Sequence, residues 1–143
     1  MRIGIIAGHT DIVGKDRGAY GKVIEGWANR IQAIACYNEL RKYNCEPFLE
    51  PEGYPLNDEI YWVNSNKLDL AVAMHNNAGG GDGWEALVSV TGSGDELGKI
   101  AEKHIMALGQ NSRGIKKRRN ASGGHRRRFD SVLEKNTGRL VAD

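Results

Sequence analysis

A chain of 143 residues is the size of one domain and can bury a single core. Apolar residues make up 40% and charged residues 27%, which argues against disorder, and no apolar run approaches membrane-spanning length. The formal net charge of +2 is unremarkable, but Lys116-Lys117-Arg118-Arg119 and Arg126-Arg127-Arg128 place seven positive charges in one short stretch.

Ile3–Ala7 is a short apolar run ending in Gly8-His9-Thr10, which reads as a buried strand followed by a loop. The apolar stretch from Met1 to Ile6 is too short for a signal peptide. The protein is therefore expected to be made in the cytoplasm and to need another route to any target outside the cell. The polar, glycine-bearing segment Asp11–Gly21 is a loop. From about Val23 to Lys42 the pattern is helical, with Trp27, Ile31, Ile34, Ala35 and Leu40 available for a buried face and Glu25 near the first turn. Cys45–Leu49 forms a weak second strand, and Pro51, Gly53 and Pro55 mark a turn. Cys36 and Cys45 read as buried free thiols, with no metal-type pairing nearby.

Asn57 before Asp58-Glu59 predicts a helix N-cap, with the helix running to about Asn66. Leu68–Met74 is nearly continuous apolar, as a central strand covered on both faces should be, and it ends at His75. Trp84–Val90 alternates and predicts another strand. Ser93 and Glu96 fit a capping box; Leu97, Ile100, Ala101, His104, Ile105 and Leu108 follow at helical spacing, with Gly109 as the stop. After Ile115 the chain is basic and without periodicity until Leu140-Val141-Ala142, which reads as the beginning of a strand. Glycines gather around Gly79–Gly83, Gly92–Gly94 and Gly123–Gly124, which suggests loop-built sites. Alternating strands and helices predict an α/β fold, a single domain over residues 1–143 with a sheet layered between helices.

In open α/β sheets, sites form beyond the carboxyl ends of the strands. His9 follows the first strand, His75 ends the central one, and Glu25 opens the helix after the first loop, so the three can meet at one edge. Two imidazoles and a carboxylate match a catalytic zinc site that keeps a position open for water. A histidine after a strand is nonetheless more often a loop or core residue than a ligand, and topology alone leaves both readings open. His104, on the apolar stripe of a strong helix, is expected to pack in the core. His125, among arginines, is expected to be solvated or to face phosphate.

Ile5-Ile6-Ala7-Gly8-His9, then Gly18-Ala19 and Glu25, resembles the opening of the zinc-dependent N-acetylmuramoyl-L-alanine amidases of the Amidase_3 family. So does Asp69–Ala78 with its His75-Asn76-Asn77-Ala78, followed by Gly83-Trp84-Glu85, and Arg113-Gly114-Ile115-Lys116 is similar to a later family segment. Thr10 stands where many members carry a second glycine. The resemblance runs in order over nearly the whole chain. It implies a mixed, mostly parallel central sheet flanked by helices, Zn²⁺ held by His9, Glu25 and His75, and cleavage of the amide between N-acetylmuramic acid and L-alanine in peptidoglycan. It also implies a general-base glutamate at the end of a late strand. Ser131-Val132-Leu133 and Leu140-Val141-Ala142-Asp143 resemble that region, so either Asp143 occupies the glutamate's place or the glutamate lies beyond residue 143, and the family's final helix is missing in either case. Glu85 suits a structural role or a hydrogen bond to a ligand histidine's other nitrogen.

The size and the missing export signal resemble the enzymatic part of a phage or prophage endolysin, acting on the wall after release. Two other readings stay open: a non-catalytic zinc or cell-wall binding module, and a zinc carboxypeptidase acting on wall peptides. The basic stretch Lys116–Arg128 is read as a solvated loop or as attraction to anionic wall polymers. Nucleic acid is not expected as a partner, since no aromatic interleaving accompanies the charges, and no membrane insertion is expected.

Overall fold

The computed structural model describes residues 1–76, 82–90, 94–118 and 139–142. Six strands form one sheet in the order β2-β1-β3-β6-β4-β5. They are β1 (Arg2–Ala7), β2 (Glu46–Leu49), β3 (Leu70–Met74), β4 (Trp84–Ser89), β5 (Ser112–Arg118) and β6 (Arg139–Ala142). The β1–β2, β1–β3, β3–β6 and β4–β5 pairs are parallel, and β4–β6 is antiparallel. The sheet is thus mixed and mostly parallel, as expected.

Helices α1 (Glu25–Leu40), α2 (Leu56–Ser65) and α3 (Gly94–Ala107) flank it. Alternation along the strands sorts the core into two layers. Ile3, Ile5, Ala7 and Leu70 pack with Ala33 of α1 and Leu97 of α3 on one face. Ile6, Ala71 and Ala73 pack with Ile60 and Val63 of α2 on the other. Ile5 and Ala73 are fully buried, which explains why β1 and β3 read as continuous apolar runs. Toward the far edge Trp84, Ala86 and Val88 pack against Ala101, Ile105 and Ile115.

Four local expectations are corrected. The packed face of α1 is Glu25, Gly26, Asn29 and Ala33, whereas Trp27 and Ile31 are each 49% exposed and Ile34 is 40% exposed. Ala35 is exposed too, and only Leu40 of the expected face meets the core, partly buried. The reason is close approach: a Cβ on Gly26 would lie 2.1 Å from the Thr10 carbonyl oxygen, so small residues let α1 sit against the β1 loop. Second, α2 is capped at Pro55, and Asn57 is already helical. Third, His104 is exposed, because the stripe of α3 that meets the sheet is Leu97, Ala101 and Ile105 with the buried Gly94 and Gly98. Fourth, Ser112–Arg118 is a strand although it reads as aperiodic beyond Ile115. Three of its charges meet acidic neighbours: Arg113, at 3.2 Å, and Lys116 pair with Glu85 of β4, and Lys117 pairs with Asp95 of α3 at 3.3 Å.

The cysteines are free and partly buried, and burial pushes the Cys36 thiol up. Gly109 takes φ +88 and ends α3 as expected. Ser93 and the glycines of 79–81, 92 and 123–124 lie outside the described residues.

Candidate metal centre

The parallel pairing of β1 and β3 puts two histidines at one level. Ala7 is the register partner of Met74, and Gly8 N–H donates to the Met74 carbonyl at 2.9 Å, so both chains leave the sheet together. His9 and His75 are the residues that follow. Glu25, the first residue of α1, reaches the same point from the next element. The three side chains each offer a donor atom, and those atoms all lie within 4.8 Å of one another. Glu25 Oε1 lies 3.6 Å from His9 Nε2 and 3.4 Å from His75 Nδ1, and the two rings meet edge to face with centroids 5.3 Å apart.

Glu25 and His9 are held from outside the cluster. Glu25 is 7% exposed; its Oε2 accepts from Ala19 N–H at 2.8 Å and its Oε1 from Asn76 N–H at 3.2 Å. Burial works to raise its pKa, but the Ala19 N–H, the charge of His9, the Asn76 N–H and the His75 hydrogen bond outweigh it, so the carboxyl is held below its ordinary value. The carboxylate form, the one that binds a cation, is therefore favoured. His9 has Nδ1 3.1 Å from Asp16 Oδ2, which turns Nε2 toward Glu25. Asp16 is itself fixed, with Oδ1 accepting from Gly18 N–H at 3.1 Å and its carbonyl from Thr10 N–H at 3.1 Å. His9 adopts φ +63, a left-handed conformation costing a β-carbon-bearing residue on the order of 1–3 kcal/mol, kept in place by these bonds.

Glycines make room for the cluster. A Cβ on Gly8 would fall 2.2 Å from the His75 ring, and one on Gly18 would fall 2.5 Å from Glu25 Oε2 and 2.7 Å from the His9 ring.

The donor set fits zinc. Ligand atoms about 2.0–2.1 Å from a tetrahedral ion sit roughly 3.3–3.4 Å apart, close to the two Glu25–histidine spacings observed. Two cavities meet at His75. One, of about 560 Å³, runs past His9, Asp16, Tyr54 and Glu59; the other, of about 480 Å³, runs past Gln32, Trp84, Ile105 and Gln110.

Of the residues expected in the site, His9, Glu25 and His75 come together, whereas Asp143 and His125 lie outside the described residues. Glu85 makes ion pairs that suit the structural role. It is 5% exposed and paired with Lys116 and with Arg113, the latter at 3.2 Å, while the carboxylate beside a ligand histidine is Asp16. Glu85→Gln is accordingly expected to lower stability by about 1–3 kcal/mol, read as a fall in the urea midpoint, and to leave zinc affinity unchanged. A loss of zinc affinity would restore the other role. Asp16 had no signal in the sequence beyond being one acid in a polar loop. Asn29 had only its position four residues after Glu25.

The cluster, with Glu25 buried and the two histidines partly so, sits at the carboxyl edge of a mixed α/β sheet. Solved structures of N-acetylmuramoyl-L-alanine amidases superpose on 99% of the chain. The enzyme from Clostridium difficile 630 does so with a TM-score of 0.79 at 21% identity over 77% of its own chain. AmiC2 of Nostoc punctiforme gives 0.76 at 19% identity, also over 77% of its chain. The catalytic domain of the CD27L endolysin, which targets Clostridium difficile, gives 0.74 at 26% identity, covering 99% of this chain and 79% of its own. No protein-family model and no curated protein matches the sequence. The chain thus has the fold of the N-acetylmuramoyl-L-alanine amidase domains that superpose on it, as the resemblance implied.

Proposed function

We propose that the protein is a zinc-dependent hydrolase that cleaves the amide between N-acetylmuramic acid and L-alanine in peptidoglycan. The observation that carries this reading is the convergence of His9, Glu25 and His75 at the carboxyl edge of an amidase-type sheet. These three side chains would hold the ion. Bound there, zinc supplies an acidified water and an electrophile for the substrate carbonyl.

The protein's own part is placement. Its two cavities flank His75, so an amide seated at the cluster can send its sugar-bearing acyl half into one and its peptide half into the other. Water adds to the carbonyl carbon, the C–N bond breaks, and the amine of L-alanine leaves with a proton that a nearby carboxylate must carry. Asp143 is the proposed carrier. It follows Ala142, whose register partner Met74 precedes His75.

Three measurements on the purified protein test the reading. Metal analysis is expected to give one zinc per chain, and mass spectrometry of digested walls to show free L-alanine amino termini. Asp143→Asn is expected to lower kcat by roughly 10²–10⁴-fold with zinc still bound. Bound zinc without released muropeptides would identify a binding module, and release of a carboxy-terminal amino acid would identify a carboxypeptidase.

A further inference from the structure

Asn29 is fully buried, one of the largest side chains among the described residues to be so, and it sits beside the His9–Glu25–His75 cluster. Four residues after Glu25, it shares that residue's face of α1. Its Nδ2 donates to the Gly8 carbonyl at 2.6 Å and lies 3.5 Å from Glu25 Oε1. Its Oδ1 accepts from Asn76 Nδ2 at 2.5 Å. Asn76 in turn donates its backbone N–H to Glu25 Oε1 at 3.2 Å, which closes a ring through Glu25, Asn29 and Asn76.

The amide orientation follows from its partners. A backbone carbonyl only accepts, so the nitrogen of Asn29 must face Gly8, its oxygen must face Asn76, and Asn76 must present its own NH₂. No apolar side chain of similar volume could do this. A leucine here would leave the Gly8 carbonyl without its Asn29 donor and Asn76 without its acceptor, both beside the cluster. What Asn29 grips also matters: Gly8 precedes His9, Asn76 follows His75, and Glu25 is one turn away. One buried side chain thus bonds to the carbonyl before His9, to the side chain after His75 and to the Glu25 carboxylate.

We infer that Asn29 and Asn76 form a positioning pair that holds the His9, Glu25 and His75 donors at the spacing a single divalent ion needs. The inference rests on the zinc reading above and adds to it two residues that act through the three donors.

Asn29→Ala, Asn76→Ala and the double variant test it. Zinc affinity is measured by competition with a chromophoric chelator well below each variant's Tm, and the visible spectrum of the cobalt-loaded protein is recorded beside it. Each single substitution is expected to weaken zinc binding by roughly 10–100-fold. The double variant is expected to be no more than about threefold worse than the weaker single one, because either change opens the same ring. The cobalt bands are expected to broaden or shift in all three. Singles within about twofold of the parent, losses that multiply in the double variant, or an unchanged cobalt spectrum would each overturn the pair. If Asn29→Ala does not fold, Asn76→Ala decides alone, since Asn76 is only partly buried and outside the core clusters. A parent that binds no zinc would sink the metal reading itself, a result distinct from a parent that binds and variants that bind equally well.

Discussion

His75→Ala is expected to bind zinc roughly 10²–10⁴-fold more weakly than the parent and to release no muropeptides from purified walls. Apparent binding free energies of structural zinc are about 10–16 kcal/mol, so removing one of three protein donors forfeits about 3–5 kcal/mol. The fold should survive. His75 is the residue after β3, is not in any core cluster, and has a side chain 24% exposed. Isothermal calorimetry with zinc and a wall-turbidity assay give the two readouts, with circular dichroism to confirm the fold. A variant that keeps lytic activity would rule the centre out as the site of hydrolysis.

Two glycine substitutions should fail in different ways. A methyl on Gly8 would lie 2.2–2.6 Å from three atoms of the His75 ring, its nearest neighbours, so the ring must swing away. Gly8→Ala is expected to stay folded, losing about 1–3 kcal/mol, and to lose most of its zinc affinity. A methyl on Gly26 would instead lie 2.1–2.7 Å from the backbone of Thr10, which cannot turn aside. Gly26→Ala is expected to lose stability beyond that range, because α1 must back away from the loop that carries His9. Denaturant melts and zinc titrations of both proteins separate the two cases. Equal loss of stability in both would contradict this division between a ring that yields and a backbone that does not.

Much of this was legible in the sequence because the information is local. A strand that ends in histidine announces itself by an apolar run that stops, and two such strands in an α/β pattern bring their ends to one edge. Hence His9 and His75 could be paired across 66 positions of chain. What failed to show was whatever depends on the neighbour. The apolar pattern of α1 points away from its packed face, because that face is built on Glu25, Gly26, Asn29 and Ala33, which serve closeness and hydrogen bonding over apolar area. β5 hid because Lys116 and Lys117 look solvated until Glu85 and Asp95 are seen beside them. Asp16 and Asn29 are invisible for the same reason: their partners, His9 and Asn76, lie seven and 47 residues away, and nothing in the local pattern names them.

The placement of β6 bears on how the molecule is made. Residues 139–142 lie between β3 and β4, and among the described residues they join the group β2-β1-β3 to the pair β4-β5 in the sheet. A nascent chain leaving the ribosome therefore carries two unjoined strand groups, each with an open inner edge, until β6 clears the exit tunnel. The segment up to β3 already carries His9, Glu25 and His75, so the cluster's three residues are made before the sheet is joined. Closure is consequently a late, long-range event, and the interval before it is when the chain is most exposed to pairing with another copy.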